Sequence, residues 1–315
     1  MQKTGLNIEL FDKSRGVFEY DTIVFSRGFS TEALKYALAA RAANRRVVVD
    51  ICDNMFALSD RVAFRRACNR LRQMIAIADA VTTPTAMMAE QLQSHLSGAE
   101  AETPFHVIPD ALELIDPRVT TRRGHALIAG LEAFQREHSG ALYCVWYGAS
   151  VPGLSGFAHL DAAVRELERF SARHPVTLTV ISDTRLRYWF GRRSWRIPTW
   201  YLPFETSSFG PALARHAVAV IPVRQNAYTS GKSINRAATA VMAGLGVVAD
   251  AAPGYEELRP WIALGDWQAG LARYVECPPA SDPALAAARR HLETCYGAEV
   301  IGQHWAKVLT EMAVD

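Results

Sequence analysis

The sequence has few of the features that mark secreted, zinc-binding or membrane-spanning proteins. Its five cysteines are scattered and form no CxxC pair, which argues against a disulfide framework or a zinc site. The opening residues MQKTGLNIEL lack the apolar core of a signal peptide. No stretch approaches the roughly 20 apolar residues that span a bilayer. We therefore expect a cytoplasmic protein, with peripheral contact at the inner face of the membrane as a further option.

The chain also lacks a large excess of charge and the common nucleotide-binding and metal-binding signatures. Its formal net charge of +2 is too small for general nucleic-acid binding, so no nucleic-acid partner is expected. The absence of a P-loop and of a GxGxxG fingerprint argues against kinases and dinucleotide dehydrogenases. No DxD-like motif and no suitably spaced histidines indicate a metal ion, so neither metal nor cofactor is implied. Lysine is scarce beside arginine, which makes Lys232 stand out.

What the sequence does contain is strand and helix patterns in alternation, in two successive rounds. In the first round we predict strands at Asn7–Phe11, Thr22–Gly28, Arg46–Cys52, Ala80–Pro84 and Phe105–Pro109, with helices at Thr31–Ala43, Arg61–Ile77 and Ala86–Leu96. In the second we predict strands at Leu142–Gly148, Thr177–Asp183, Thr199–Pro203, Val218–Val223 and Val247–Asp250, with helices at Phe157–Arg173, near Ser207–His216 and from about Ser233. Val- and Ile-rich strands of this kind predict parallel sheets with helices on both faces.

The fold class predicted is therefore α/β, with two Rossmann-like, doubly wound domains. A polar stretch ending in Gly140 places the boundary near residue 139, giving domains of residues 1–139 and 140–296. A closing helical stretch, Pro283–Met312, is expected to return to the first domain through a final helix of about residues 297–315. Ligands of such sheets bind at the carboxyl ends of the strands.

The most informative segment is AVAVIPVRQNAYTSGKSINRAATAVMAGLGVVADAAPGYEEL, in which a strand, a polar loop and an amphipathic helix follow one another. Lys232 and Ser233 fall at the expected start of the helix, where free N–H groups and the helix dipole favour an anion. Arg236 adds positive charge, and Asn235 adds a hydrogen-bond donor. Phosphate binding is the functional interpretation. The alternative is an ordinary helix cap beside a solvated lysine.

Four segments together resemble the large retaining group of bacterial GT-B glycosyltransferases. The segment just described is similar to their donor-binding region, and VWYGASVPGLSGFAHL (145–160) to the opening of their C-terminal domain. In the first half, the similar segments are VVVDICDNMF (47–56) and ADAVTTPTAMMAEQL (78–92) with HVIPDALE (106–113). The resemblance implies a GT-B fold, with its two domains facing across a cleft. It further implies metal-independent, retaining transfer from a nucleotide sugar to a saccharide or lipid-linked acceptor, in cell-envelope or exopolysaccharide biosynthesis.

Candidate site residues follow from the resemblance and from the strand ends. Asp53 and Asp50 are candidate catalytic residues, either as a general base in an inverting enzyme or as acceptor-positioning groups; capping of the next helix is their alternative role. Lys232 and Arg236 are expected to stabilise leaving-group charge. Acceptor contacts are expected at Arg27, Gly28 and Asn54, although a plain turn also explains the first two. Donor binding is expected at Gly148, Ala149, Ser150, Arg224, Gly231, Lys232, Ser233, Asn235 and Arg236, with Glu205, Glu256 or Glu257 for the ribose.

The sequence departs from that family at two points of the expected donor site, and its first half also lacks the glycine-rich loop that follows the first strand in that family. The paired glutamates that the family carries eight residues apart would fall at Gly231 and Thr239. The loop Gly148–Gly156 holds no basic residue where the family has an arginine and a lysine. Two alternatives therefore stay open: a nucleotide-sugar epimerase of the same fold, and a catalytically inactive relative that binds a nucleotide sugar or serves as a scaffold.

Two arginine-rich segments have no assigned role. RLRYWFGRRSWRIPTWY (185–201) mixes five arginines with six aromatic residues, which fits a loop beside the donor base, a membrane contact or simple packing. The predicted helix Arg61–Ile77 carries Arg61, Arg65, Arg66, Arg70 and Arg72. Such a helix faces either an anionic membrane or, more commonly, solvent.

Overall fold

The computed structural model describes residues 6–27, 29–113 and 115–312. They form two compact units, each assembled from separate stretches of the chain. The first comprises Met1–Ala111, Asn226–Ser233 and Cys295–Asp315, and the second Leu112–Gln225 and Ile234–Thr294. The chain passes from the first unit to the second after Ala111, which is earlier than the boundary expected near residue 139. The reason is the helix Arg122–Glu137, which packs on the second sheet, with Phe134 stacked on Trp200 at 5.6 Å between ring centroids.

The first unit is built around a four-stranded parallel sheet in the order β1-β2-β3-β4. Its strands are β1 (Thr22–Ser26), β2 (Arg46–Asp50), β3 (Ala80–Thr83) and β4 (Phe105–Val107), and its helices are α1 (Thr31–Ala42), α2 (Val62–Ile77), α3 (Ala86–Gln93) and α4 (Ala99–Glu102). Val47, Val49 and Val81 form the core with Leu71 and Met74 of α2. Burial of these continuous apolar strands supplies most of the driving force for folding of the unit.

The strand predicted at Asn7–Phe11 is wrong, because this segment has no regular secondary structure. Leu10 is 95 % exposed, and only the Phe11 ring turns inward. That ring packs on Tyr20 and Tyr36, with centroid distances of 5.2 and 5.0 Å. The Phe11 ring anchors the segment although no strand pairs with it. The apolar pattern of the sequence does not distinguish such an anchored segment from a strand.

The second unit is built around a six-stranded parallel sheet in the order β10-β9-β8-β5-β6-β7. Its strands are β5 (Leu142–Tyr147), β6 (Val176–Ser182), β7 (Thr199–Pro203), β8 (Val218–Ile221), β9 (Gly246–Ala249) and β10 (Ala263–Leu264). Its helices are α5 (Arg122–Glu137), α6 (Phe157–Ser171), α7 (Arg185–Gly191), α8 (Thr206–Leu213), α9 (Asn235–Met242), α10 (Trp267–Glu276) and α11 (Pro283–Tyr296). From β5 the chain moves outward to β6 and β7, then returns to β8 on the other side of β5. This reversal is the point at which open α/β sheets bind ligands.

The sequence patterns missed α4, α5, α7, α10 and β10. The helix expected from about Ser233 begins at Asn235, with Ile234 as its N-cap. The closing stretch is broken at Gly297 into α11 and α12 (Ala298–Glu311). Helix α12 lies in the first unit, where Ile301 and Val308 pack on Ile108. In the described part of the chain, no helix is both long enough and apolar enough to cross a bilayer.

Candidate functional site

The second unit contains a cavity of about 760 Å³ at the carboxyl ends of its strands. Its walls come from the residues that follow β5, β6 and β7 and from the first turns of α8 and α9. Four predicted donor-binding residues line it: Gly148, Ala149, Asn235 and Arg236. The lining residues that sequence reasoning missed are chiefly carboxylates and aromatic rings, namely Glu113, Asp116, Asp183, Phe204 and Phe209. A cavity of this size is in the range of small-molecule sites.

Arg236 supplies positive charge at the switch point of the sheet. It lies in the first turn of α9, where backbone N–H groups have no partner within the helix. Its backbone carbonyl accepts a hydrogen bond from the Tyr147 hydroxyl at 2.6 Å. Burial raises the pKa of Tyr147, so this hydroxyl stays protonated and keeps donating. The start of α9 is thereby tied to the end of β5, with the guanidinium beside the cavity.

Gly148 allows the Arg236 side chain to approach the backbone closely. An added Cβ at Gly148 would lie 2.8 Å from Nη2 and 3.3 Å from Cζ of that guanidinium. The φ of Gly148 is +152°, a value that L side chains rarely adopt. Ser150, also predicted to bind donor, instead accepts a hydrogen bond at its Oγ from the Phe157 N–H at 2.8 Å. It therefore holds the loop onto the start of α6.

A buried histidine, His159, holds the loop that follows β8. His159 of α6 accepts a hydrogen bond at Nδ1 from the Arg224 N–H at 3.3 Å. Burial lowers the pKa of His159, and the charges of Arg224 and Arg236 lower it further. The ring is therefore held neutral, and it anchors the loop after β8. Asp250 anchors the same loop, accepting the Val223 N–H at 2.9 Å.

The three glutamates expected to bind ribose are each paired with a basic side chain. Glu205 accepts from Arg123 at 2.6 Å and Glu256 from Arg259 at 2.6 Å, while Glu257 lies 2.5 Å from the His291 ring. The cavity has carboxylates of its own. Asp116 is held by the Arg118 guanidinium, which lowers the pKa of that carboxyl to about 2. Glu113 and Asp183 also line the cavity, and Asp183 accepts a hydrogen bond from the Thr184 hydroxyl at 2.9 Å.

The first unit has a polar cluster at the carboxyl ends of its own strands. Lys232 Nζ pairs with the Asp53 carboxylate and lies 4.5 Å from the centroid of the Tyr228 ring. Ser233 donates to the Asp110 carboxylate at 2.6 Å. Burial raises the pKa of Asp110, which favours its protonated form relative to an exposed carboxyl. Asp110 and Tyr228 are site residues that sequence reasoning missed.

Segment Asn226–Ser233 belongs to the first unit, contrary to the expectation that Lys232 and Ser233 open a helix of the second. The carbonyl of Gly231 accepts from Thr85 Oγ1 at 2.8 Å. An added Cβ at Gly231 would lie 3.0 Å from Met88 Cα, so this close approach needs glycine. Lys232 is therefore positioned by the first sheet and α3 rather than by the dipole of α9.

The remaining predicted residues of the first half are mostly engaged in supporting contacts. Asp50 accepts from the Ser26 hydroxyl at 2.7 Å and from the Thr82 hydroxyl at 2.8 Å. Asn54 is 1 % exposed; its Nδ2 donates to the Ala227 carbonyl at 2.9 Å, and its Oδ1 accepts the Ala57 N–H.

Arg27 has a φ of +55° and donates from Nε to the Cys52 sulfur at 2.9 Å. That contact raises the pKa of the Arg27 guanidinium, and burial raises the pKa of the Cys52 thiol. Gly28 lies outside the described residues.

Comparison with known proteins identifies the fold. No protein-family model matches the sequence. The curated proteins likewise give no match. Among solved structures, HepE of Anabaena in complex with UDP and glucose has a TM-score of 0.63 at 16 % identity, covering 93 % of this chain and 78 % of that one.

Two other similar structures are of trehalose-phosphate synthases. The UDP-forming enzyme of Burkholderia xenovorans in complex with glucose-6-phosphate has a TM-score of 0.62 at 13 % identity, covering 94 % and 74 %. A trehalose-6-phosphate synthase studied for glycosyl transfer with retention has a TM-score of 0.60 at 13 % identity, with the same coverage. Sequence identities this low establish a shared fold but not a shared substrate or mechanism. The α/β prediction is confirmed, and this chain has the GT-B fold of these glycosyltransferases.

Proposed function

We propose that the chain is a glycosyltransferase that takes its sugar from a uridine diphosphate sugar bound in the cavity of the second unit. The observation that carries the proposal is the position of this cavity. It lies at the switch point of the sheet, between the first turn of α9 and the ends of β5, β6 and β7. Nucleotides bind at this point in open α/β sheets. HepE, of the same fold, was solved with UDP and glucose.

The diphosphate is proposed to lie against the start of α9. The backbone N–H groups of the first turn, which have no partner within the helix, and the guanidinium of Arg236 together present positive charge there. Negative charge grows on the diphosphate as the bond to the sugar breaks, so groups fixed beforehand in this position lower the barrier. Because these groups belong to the protein, the proposed reaction needs no metal ion. Activity is expected to survive EDTA.

The nucleoside is proposed to bind at the other end of the cavity. Phe204 lies just after β7 and is 53 % exposed, with its ring 5.3 Å from that of Phe209. An exposed ring held by a second ring is a suitable platform for a base. Glu113 and Asp183 line the same cavity and are the groups proposed to accept hydrogen bonds from the ribose hydroxyls.

The acceptor is proposed to bind at the carboxyl end of the first sheet. Asp53 and Asp110 can each accept a hydrogen bond from a sugar hydroxyl, and Lys232 holds Asp53 in place. The cluster sets three carboxyl groups, Asp50 included, against the charges of Arg27 and Lys232, so these groups carry no net positive charge whether Asp110 is ionised or protonated. A cluster without net positive charge favours a neutral hydroxyl over a phosphate as the group that enters. The acceptor class proposed is a saccharide or a lipid-linked saccharide of envelope or exopolysaccharide assembly.

Retention of configuration is proposed by analogy with the trehalose-6-phosphate synthase of the same fold, which was studied for transfer with retention. The bond from the sugar to the diphosphate breaks, and the acceptor oxygen bonds to the same face of the sugar. The departing phosphate oxygen takes the acceptor proton. On this proposal Asp53 and Asp110 orient the acceptor rather than act as the base.

A second candidate is a relative that binds the nucleotide sugar without transferring it. The observation in its favour is Thr239, which lines the cavity where the resemblance noted in the sequence implies a glutamate. The two candidates share donor binding and differ only in the products. Product analysis with donor and a panel of saccharide acceptors therefore separates them. An acceptor-independent change of the donor sugar would indicate an epimerase instead.

The test begins with calorimetric titration of the full chain with UDP, GDP, ADP and CDP. UDP is expected to bind best, and Arg236→Ala to weaken it about 10- to 100-fold through loss of charge-assisted hydrogen bonds. Arg259→Ala, on an exposed arginine paired with Glu256 in the same unit, is the matched control and is expected to leave affinity unchanged. If no nucleoside diphosphate binds, or if both variants weaken it equally, the donor assignment fails.

A further inference from the structure

Helix α7 exposes large apolar side chains on one face. Leu186, Trp189 and Phe190 are 64, 48 and 56 % exposed, respectively. Their spacing of i, i+3 and i+4 places them on the same side of the helix. Apolar residues scattered singly over a surface need no explanation, whereas three large ones on a single helical turn indicate a contact.

The opposite side of α7 is firmly held to the sheet. Tyr188 is buried, its hydroxyl lies 2.9 Å from Thr199 Oγ1, and its ring lies 5.2 Å from that of Tyr201. Just beyond the helix, the Trp195 indole donates to Asp161 at 2.9 Å. The exposed face is therefore presented by an anchored element.

Five arginines surround this face within twelve residues: Arg185, Arg187, Arg192, Arg193 and Arg196. All except Arg187 are exposed. The Arg193 guanidinium lies 4.7 Å from the centroid of Trp189. Within the part of the chain that the structure describes, none of the five forms an ion pair with a carboxylate. This local concentration of positive charge contrasts with the net charge of only +2 for the whole chain.

We propose that this α7 surface, made of Leu186, Trp189, Phe190 and the surrounding arginines, docks on a bilayer that contains anionic phospholipid. Aromatic side chains favour the boundary between headgroups and acyl chains, and arginines there pair with lipid phosphates. Attraction to an anionic surface adds to the apolar contribution. The charge pattern is what favours an anionic bilayer over a second copy of this chain, whose own surface at this position is equally positive.

Docking would bring the donor cavity to the bilayer surface. Helix α7 begins two residues after Asp183, which lines the cavity at the end of β6. A lipid-linked acceptor therefore becomes the favoured one of the two acceptor classes proposed above. Docking itself uses none of the proposed donor-binding residues, so it can be tested independently of the catalytic proposal.

The experiment is flotation of the full chain with phosphatidylcholine vesicles, with and without phosphatidylglycerol at about a third of the lipid. Binding is expected only to the anionic vesicles and is expected to weaken with salt. Arg192→Glu with Arg193→Glu should lower the affinity at least about 30-fold, since loss of two arginines alone corresponds to ~2 kcal/mol. Trp189→Ser with Phe190→Ser should lower it at least about tenfold. Urea unfolding of the same samples verifies that each variant is folded.

The matched control reverses two arginines on the other arginine-rich helix. Arg65→Glu with Arg66→Glu changes the charge equally on exposed positions of α2 and should leave vesicle binding unchanged. Equal loss in this control, equal binding to neutral vesicles or no binding to any vesicle overturns the proposal. A dimer that dissociates only when Trp189 and Phe190 are replaced would assign the surface to a second copy. Binding of soluble polygalacturonate, but not of vesicles, would assign it to an acidic saccharide.

Discussion

Replacing Gly148 with alanine tests the donor site through a single methyl group. The new Cβ would lie 2.8 Å from Nη2 of Arg236, whereas ordinary contacts begin at 3.4 Å. The guanidinium must therefore retreat by about 0.6 Å. A hydrogen bond of about 2.9 Å that is stretched by this amount reaches about 3.5 Å, the longest distance at which donor and acceptor still interact as a hydrogen bond. The perturbation thus moves the proposed phosphate-binding group without removing its charge.

The magnitude follows from that displacement. Loss of one charge-assisted hydrogen bond to the diphosphate is worth about 1.5–3 kcal/mol, which corresponds to an affinity for UDP about 10- to 100-fold weaker. Alanine at a φ of +152° also strains the backbone and lowers the free energy of unfolding by about 1 kcal/mol. The loss of affinity is therefore expected to exceed what the modest loss of stability explains.

Calorimetric titration with UDP measures the first effect and urea unfolding the second. The matched control is Gly140→Ala, since Gly140 has a φ of +84° and open space around its added Cβ. The Gly140→Ala variant should show a similar loss in the free energy of unfolding and keep the wild-type affinity for UDP. Wild-type affinity in Gly148→Ala would refute the reasoning. The same would follow if both glycine variants lost UDP affinity to the same degree.

Three further predictions concern other parts of the molecule. Burial lowers the pKa of His216 to about 4, so the free energy of unfolding should fall by about 3 kcal/mol as the pH drops from about 6.5 to about 4. Urea unfolding across this range should show a smaller fall for His216→Gln. Phe204→Ala should weaken UDP about 5- to 100-fold yet leave inorganic pyrophosphate binding unchanged, and calorimetry that finds both ligands weakened alike would contradict a stacking role. Lys232→Ala should leave UDP affinity unchanged but slow sugar transfer about tenfold or more, because Asp53 loses the partner that orients it. A loss of UDP affinity in that variant would instead indicate that Lys232 contacts the donor.

The sequence predicted the sheets well because their strands are continuous apolar runs. All seven residues of β6 are buried, as are all four of β8 and of β9, so hydrophobicity alone indicates them. Helix α5 was missed, although its Ile128, Leu131 and Phe134 are spaced for one buried face. Its position just ahead of a polar, glycine-ended stretch made it look like part of a boundary.

The site was predictable only where local sequence decides position. Gly148 directly follows β5, and Asn235 and Arg236 open the helix after β8, so the strand and helix patterns indicate these three lining residues. The placement of Lys232 in the first unit could not be predicted, because it depends on contacts of Gly231 with Thr85 and Met88, which are distant in sequence.

The carboxylates and aromatic rings of the cavity were missed for a similar reason. Glu113 and Asp116 lie outside any strand or helix, about 30 residues before β5 ends, and Phe204 follows an edge strand without any motif. Their roles arise only from the folded topology.

The first unit is discontinuous in sequence, and this restricts how the protein can be divided or recombined. A fragment ending at Ala111 would lose α12, leaving Ile108 without the apolar cover of Ile301 and Val308. It would also lose the loop whose lysine and serine neutralise or cap the carboxylates at the sheet edge. Exchange of an amino-terminal half with that of a relative would therefore have to carry two remote segments along with it. Natural variation in the two halves is expected to be coupled for the same reason.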